Sequence, residues 1–232
     1  MKKILVVLFV ICCFASSAFA EVVGPLSSKD GLLVGIGYAT NDRTEQDHEK
    51  VFKSEQGYVS MDYTVNGWQP YLRFGYTDLE IDSFRDSERA FGTLGLKKAL
   101  YQKSKWTVGA FGQISLFQSA NDQRMVRYGE IPVTIDIKIK DLKEAKVGGL
   151  VQRVIGPVEV YAGPFYNWMD GDVESVVTTP TRTSARSFKI KADDDVGGLA
   201  GVVVDLGNGF GLNLEVQQTS RTSVGSALTY RF

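Results

Sequence analysis

The sequence has little of what a metal site or a nucleic-acid site needs. Its 232 residues include one histidine and two cysteines, and 26 basic residues are balanced by 27 acidic ones. One histidine and two cysteines cannot supply the usual four-ligand zinc site. A net charge of −1 shows no excess of basic residues for binding nucleic acid. We therefore expect no metal, no cofactor and no nucleic-acid partner.

Long apolar runs are also absent, except at the start of the chain. Lys2-Lys3 is followed by an apolar stretch at residues 4–14 and by the small-x-small motif Ala18-Phe19-Ala20. This is the pattern of a signal peptide, and it predicts cleavage after Ala20. Both cysteines lie in the removed part, so residues 21–232 have none for a disulfide. Residues 1–20 are then the signal peptide, and 21–30 a short periplasmic segment.

No later run approaches the ~20 apolar residues of a membrane-spanning helix. Instead, residues 31–232 show alternation with a period of two, as in Leu32, Val34 and Ile36, and the mean hydropathy of −0.08 fits strands that are apolar on one face. We count ten strands, joined alternately by short and long connections. The pattern predicts a ten-stranded antiparallel transmembrane β-barrel. Eight strands are the alternative, because the last long-side connection, 219–222, is short.

The charged residues indicate which face meets lipid. A charge that faces acyl chains at mid-depth costs about 2–4 kcal/mol. The alternate strand positions that carry charged residues must therefore face the lumen, and the other positions, of outward parity, face lipid. The predicted lumenal charges are Asp62, Arg73, Lys97, Glu144, Lys146, Glu159, Asp205, Glu215 and Arg231. They favour either a salt-bridged plug or a polar conduit for a small solute.

Aromatic residues of the outward parity fall near the two ends of the strands. Such belts are typical of membrane interfaces. The two predicted girdles contain Tyr38, Trp68, Tyr76, Trp106, Tyr166, Trp168 and Phe210. A soluble lipocalin-like barrel would instead turn Trp68 and Phe232 inward.

The last eight residues, Gly225-Ser226-Ala227-Leu228-Thr229-Tyr230-Arg231-Phe232, combine alternating hydrophobic residues with a final aromatic one. This end resembles the terminal signal of small OmpA-like and opacity-type outer-membrane barrels. The resemblance implies a location in the bacterial outer membrane. It also implies recognition of Gly225, Leu228, Tyr230 and Phe232 by the barrel assembly machinery.

Two loop features are candidates for chemistry. His48 lies in the first long loop, but no nucleophile or base pattern surrounds it, so we expect a solvated side chain. Acidic residues at 170–174 and 193–195 flank the fourth loop and could meet calcium or magnesium, although their spacing is not that of a calcium loop.

Two apolar stripes continue past the expected membrane boundary. Residues 133–139 share the parity of lipid-facing Ala145 and Val147, and residues 188–192 share that of Val196. We expect both strands to extend above the membrane, either as packed hairpins or as an exposed apolar ridge.

These features predict an outer-membrane barrel over residues 31–232 that is not an enzyme. Its expected role is passive passage of a small solute, or surface interaction and envelope integrity, with outer-membrane lipid and lipopolysaccharide as partners. The alternative is a membrane-embedded protease or lipid-modifying hydrolase that uses the extracellular rim.

Overall fold

The computed structural model describes residues 22–27, 29–44, 51–81, 84–85, 89–128, 131–191, 195–219 and 222–232. Within these ranges the chain forms thirteen strands. They are β1 (Gly31–Thr44), β2 (Val51–Thr64), β3 (Trp68–Ile81), β4 (Phe84–Arg85), β5 (Arg89–Lys103), β6 (Trp106–Phe117), β7 (Ala120–Tyr128), β8 (Ile131–Ile155), β9 (Val158–Thr179), β10 (Arg182–Lys191), β11 (Asp195–Gly207), β12 (Phe210–Gln218) and β13 (Thr222–Arg231). No helix in the described part of the chain is long and apolar enough to cross a membrane.

Ten of the strands form a closed antiparallel barrel in the order β1-β2-β3-β5-β6-β8-β9-β11-β12-β13. The last strand closes the barrel on the first, from Leu33 opposite Arg231 to Asp42 opposite Thr222. The predicted ten-stranded fold is confirmed, and the eight-stranded alternative is wrong. The short connection does join two strands, because Gln218 of β12 pairs with Thr222 of β13.

Tight turns at one end join the strands into hairpins. Asn66 and Gly67 have φ values of 49° and 72°, and Asn208 and Gly209 have 53° and 84°. Positive φ at both central positions is the geometry that matches the twist of two-residue hairpins, which explains the Asn-Gly pairs. In outer-membrane barrels the short turns lie on the periplasmic side.

The outer surface of the barrel wall is a belt of exposed apolar side chains. Phe74 is 63% exposed, Trp68 47% and Phe232 73%. The outward orientation of Trp68 and Phe232 excludes the lipocalin-like alternative. The belt provides the apolar surface that a bilayer requires.

Both ends of this belt carry exposed aromatic residues. At the periplasmic end, the Lys98 ammonium lies 4.4 Å from the Trp68 ring centroid, and the Arg153 guanidinium lies 5.0 Å from that of Trp106. A tryptophan ring with a cationic side chain beside it is favourable in the headgroup region of a membrane. The exposed girdle positions are Tyr38, Trp68, Tyr76, Trp106, Tyr166, Trp168 and Phe210.

The end of the chain completes the periplasmic girdle. The Tyr230 ring lies 4.9 Å from Phe210 and 4.8 Å from Phe232, measured between centroids. Leu228 lies opposite Ile36 of β1 and Leu212 of β12. These residues therefore lie at the junction where the last strand closes the barrel. Their recognition by the assembly machinery stays a prediction.

Four strands form a sheet beyond the extracellular end of the barrel. β8 and β9 stay paired up to Thr134 opposite Thr178, and β7 and β10 extend this ladder on its two sides. The prediction of extended strands is right for β8. The second long strand is β9, however, because residues 182–191 fold back on β9 and do not continue β11.

A β-bulge changes the orientation of the β8 extension. Between Lys140 and Lys143 the pairing with β9 shifts by one residue, and Asp141 has a φ of 53°. A one-residue shift moves every later side chain to the opposite face. The stripe at 133–139 therefore faces inward, not toward lipid as its parity predicted. Ile139 packs there with Leu142 and Val173 in a small buried cluster.

Candidate functional site: the barrel interior

The interior is occupied by the segment that precedes β1. We expected residues 21–30 to lie in the periplasm, but Val22, Val23 and Leu26 are buried inside the barrel. Contacts of this segment with Glu215 of β12 and Gln152 of β8 show that it enters the lumen from the periplasmic end. We call residues 22–27 the N-terminal segment.

Glu215 holds the top of the N-terminal segment. Its carboxylate accepts hydrogen bonds from the backbone N–H groups of Val23 at 2.8 Å and Gly24 at 2.9 Å. The Tyr161 hydroxyl and the Gln217 amide each donate to it at 2.7 Å. A carboxylate has about four lone-pair sites, so these donors satisfy this buried group.

Cations on the opposite side of the segment bind its carbonyl. The Val23 oxygen accepts from Lys97 Nζ at 3.0 Å and from Arg73 Nη2 at 3.3 Å. Lys97 also pairs with Asp62 at 3.3 Å, and both side chains are almost fully buried. The Arg73 guanidinium lies 4.6 Å from the Tyr71 ring centroid.

Two glutamines hold the lower part of the segment. The Gln152 side chain accepts from the Leu26 N–H at 2.7 Å and donates to the Leu26 carbonyl at 2.8 Å. Gln69 accepts from the Ser27 N–H at 2.9 Å and donates to Asp62 at 3.0 Å. Side chains of the wall thus satisfy the backbone of the segment, which is not itself a strand.

Apolar side chains fill the space beside these hydrogen bonds. Val23 and Leu26 belong to one buried cluster with residues from four strands of the wall. The wall members of that cluster are Phe111, Leu150, Tyr161, Phe165 and Leu199. A Cβ on Gly109 would lie 2.6 Å from a Leu26 methyl, so the glycine leaves room for this side chain. This cluster is packed like the core of a soluble protein.

Lumenal glycines also make room for tyrosine rings. A Cβ at Gly37, Gly95 or Gly201 would lie within 2.3 Å of a ring atom of Tyr58, Tyr71 or Tyr161, respectively. Above the N-terminal segment, Tyr71 donates to Gln113 at 2.7 Å, and Thr93 bonds to Ser115 at 2.9 Å. Wall side chains therefore fill the upper lumen.

The predicted lumenal charges do not form one cluster. Asp62, Arg73, Lys97 and Glu215 surround the N-terminal segment. Higher in the barrel, Lys146 lies 3.5 Å from Glu144 and donates to Gln217 at 3.3 Å.

The other three predicted charges lie near the periplasmic rim. Glu159 accepts a hydrogen bond from Gln152. Arg231 donates to the Lys29 carbonyl at 3.0 Å, and the exposed Asp205 accepts from the Gly207 N–H at 2.8 Å. Together with Asp62, Arg73 and Lys97, all three line a cavity of about 330 Å³ that lies beside the N-terminal segment and extends to the turn at 207–209.

The two loop candidates contribute no assembled site in the described part of the chain. His48, Asp193 and Asp194 lie outside the described residues. Asp170 pairs with Lys143 at 3.3 Å, and Glu174 accepts from Lys140 at 2.8 Å, which lowers the pKa of the Glu174 carboxyl. Within the described ranges, no group of three or more histidine, cysteine or acidic residues could hold a metal ion.

Sequence reasoning missed the neutral residues of the site. Gln69, Gln152, Gln217 and Tyr161 have the same lumenal parity as the charges, so alternation could have identified them. Nothing in the periodicity of the strands could have placed residues 22–27 in the lumen.

No protein-family model and no curated protein matches the sequence. Solved structures do match. The translocator domain of the autotransporter NalP from Neisseria meningitidis has a TM-score of 0.51 and 11% identity, over 89% of this chain and 91% of that chain. The outer-membrane protease OmpT from Escherichia coli has a TM-score of 0.50 and 9% identity, over 94% and 99% of the two chains. At this identity the likeness concerns the fold. This chain folds as a bacterial outer-membrane β-barrel, in agreement with its apolar belt and its predicted signal peptide.

Proposed function

We propose that the protein is a closed, non-enzymatic barrel that acts in surface interaction and envelope integrity and does not conduct solutes. The observation that carries this proposal is the occupied lumen. The N-terminal segment lies in the periplasmic half of the lumen, and buried wall residues such as Tyr71, Phe165 and Gln217 occupy the interior beside and above it.

The four-stranded sheet is the surface on which such a protein would act. Its outward face has exposed lysines, among them Lys138 opposite Glu174 and Lys189 opposite Asp172. Exposed lysines on the extracellular side can pair with the phosphate groups of lipopolysaccharide. Lipopolysaccharide is therefore our proposed partner.

Conductance in a planar bilayer tests the closed state. We expect no discrete channels from the purified protein, under conditions in which a porin added to the same bilayer gives them. Discrete channels whose size changes in Arg73→Gln or Glu215→Gln would replace the proposal by solute passage.

Retention of lipopolysaccharide tests the partner. The double variant Lys138→Glu, Lys189→Glu should retain less of it during purification than the unchanged protein. The control is Lys105→Glu, since Lys105 is also exposed but lies at a periplasmic turn. Equal losses of lipopolysaccharide from the double variant and from Lys105→Glu would contradict lipopolysaccharide binding by Lys138 and Lys189. Hydrolysis of a peptide or lipid that disappears in His48→Ala would favour the enzyme alternative.

A further inference from the structure

The backbone of the N-terminal segment is recognised almost completely by side chains of the wall. Every backbone N–H from Val23 to Ser27 donates to one of them, and Pro25, which has no N–H, occupies the single position without such a bond. The acceptors belong to three strands that are not adjacent in the barrel: Glu215 in β12, Gln152 in β8 and Gln69 in β3. Side chains from three sides of the lumen thus bind the backbone of one short peptide.

None of these contacts depends on the linker between the segment and β1. The residues that bond to Val23, Gly24 and Leu26 are 192, 191 and 126 positions away along the chain. Their positions are set by the ladders of the barrel and not by the short connection at 28–30. The geometry therefore exists for a peptide whether or not it is covalently attached.

Three features of the site select the sequence that it holds. Gly24 has a φ of 74°, a conformation that residues with a Cβ rarely adopt. The next residue, Pro25, has no N–H, and the hydrogen bonds of the segment skip this position, so a proline is accommodated there without loss. The position after it places its side chain over Gly109, within the apolar cluster of Phe111 and Leu150. The preferred ligand is a peptide of the pattern Val-Gly-Pro-Leu.

We propose that the periplasmic half of the lumen is a peptide-binding site whose resident ligand is residues 22–27 of the same chain. Because wall side chains fill the upper lumen, the ligand enters and leaves through the periplasmic mouth, beside the cavity at 207–209. This inference does not require the barrel to be non-conducting, so the bilayer measurement and the binding measurement can fail separately.

The test uses the full chain, folded first and cut afterwards. A protease site is inserted between Lys29 and Asp30, both of which are exposed, and is cleaved in the purified barrel. The released segment should stay with the barrel through gel filtration. It should then exchange with a fluorescent synthetic peptide of residues 22–29.

Two variants show whether retention uses the assigned contacts. Glu215→Gln replaces the charged acceptor of two backbone N–H groups, so the affinity of the cut barrel for the peptide should fall about 10- to 100-fold. Glu144→Gln is the matched control, because Glu144 contacts Lys146 in the upper lumen, and should leave the affinity unchanged. A peptide carrying Leu26→Asp should not bind.

The result that overturns the proposal is loss of the segment at once after cutting, with no recovery of fluorescent peptide on the barrel. Equal binding of the Leu26→Asp peptide, or equal affinities of the Glu215→Gln and unchanged barrels, would also overturn it. Since folding precedes cutting, a failure of assembly cannot imitate these outcomes. Circular dichroism of the cut barrel checks that the wall itself stays intact.

Discussion

Two ion pairs of the same chemistry lie in opposite surroundings. In the barrel interior, Lys97 and Asp62 are 3.3 Å apart with side chains 1% and 9% exposed. In the extracellular sheet, Lys140 and Glu174 are closer, at 2.8 Å, but each is 44% exposed. Water screens the exposed pair, whereas the buried charges depend on each other and on the polar groups around them. The distance between the charged atoms therefore does not show which of the two pairs matters more for stability.

The difference extends to the regions themselves. The interior combines buried charge, buried hydrogen bonds and an apolar cluster around the N-terminal segment. The extracellular sheet has a small cluster at its base, around Ile139, and exposed polar residues above it. We expect substitutions in the interior to change stability much more than matched substitutions in the sheet.

The largest effect is expected for Asp62→Ala. This change leaves the Lys97 ammonium buried without its carboxylate partner, which should cost about 3–5 kcal/mol of unfolding free energy. Urea unfolding in lipid vesicles, followed by tryptophan fluorescence, measures it. A loss no greater than that in Glu174→Ala would contradict the contrast between the two pairs.

A somewhat smaller effect is expected for Leu26→Ala. The truncation leaves a void in the cluster with Phe111 and Leu150, and buried leucine truncations cost about 2–5 kcal/mol. Leu94→Ala is the control, because Leu94 is 57% exposed on the outer face. Equal destabilisation of the two variants would show that Leu26 does not belong to a packed core.

Gly24→Ala should have a moderate effect. Its φ of 74° disfavours any Cβ, and an added methyl would lie 3.3 Å from the Asn213 amide nitrogen. We expect a loss of about 1–2 kcal/mol in the same unfolding assay. Gly57→Ala is the control, since a Cβ at Gly57 meets nothing within 4 Å. A neutral Gly24→Ala would mean that the backbone of the segment can rearrange.

The smallest effect is expected for Lys140→Ala. Removing this exposed partner should leave the unfolding midpoint unchanged, since such pairs contribute little. The local effect should still be visible: without the Lys140 ammonium, the pKa of the Glu174 carboxyl should rise toward its ordinary value. A carboxyl-detected NMR titration measures this. An unchanged pKa would show that the two side chains do not interact in solution.

The strand pattern could be predicted from the sequence because alternation is a local property. Trp68 and Phe74 lie on the lipid face and Arg73 between them faces the lumen, as the parity requires. Asp62, Arg73, Lys97 and Glu215 were found by the same rule. The pairing of Lys97 with Asp62 and the contacts with Val23 could not be found, because these partners lie on non-adjacent strands and in the N-terminal segment.

The β8 extension shows where the parity rule fails. The bulge at Asp141 inserts one residue into the ladder, so that Ile139 and Leu142 both face inward. A single aspartate with positive φ looks ordinary in a sequence. The pairing with β9 reveals that the alternation changes phase there.

The sequence by itself determined the signal peptide pattern, the strands and the two faces of the wall, since each depends on neighbouring residues and on the cost of placing charge in lipid. Only the tertiary structure decided that residues 22–27 occupy the lumen and that the upper stripe of β8 faces inward. Both depend on contacts between residues far apart in the chain. The mean hydropathy is near zero because it averages the apolar residues of the outer surface with the polar residues of the interior. Part of that interior is occupied by the N-terminal segment of the chain and not by water.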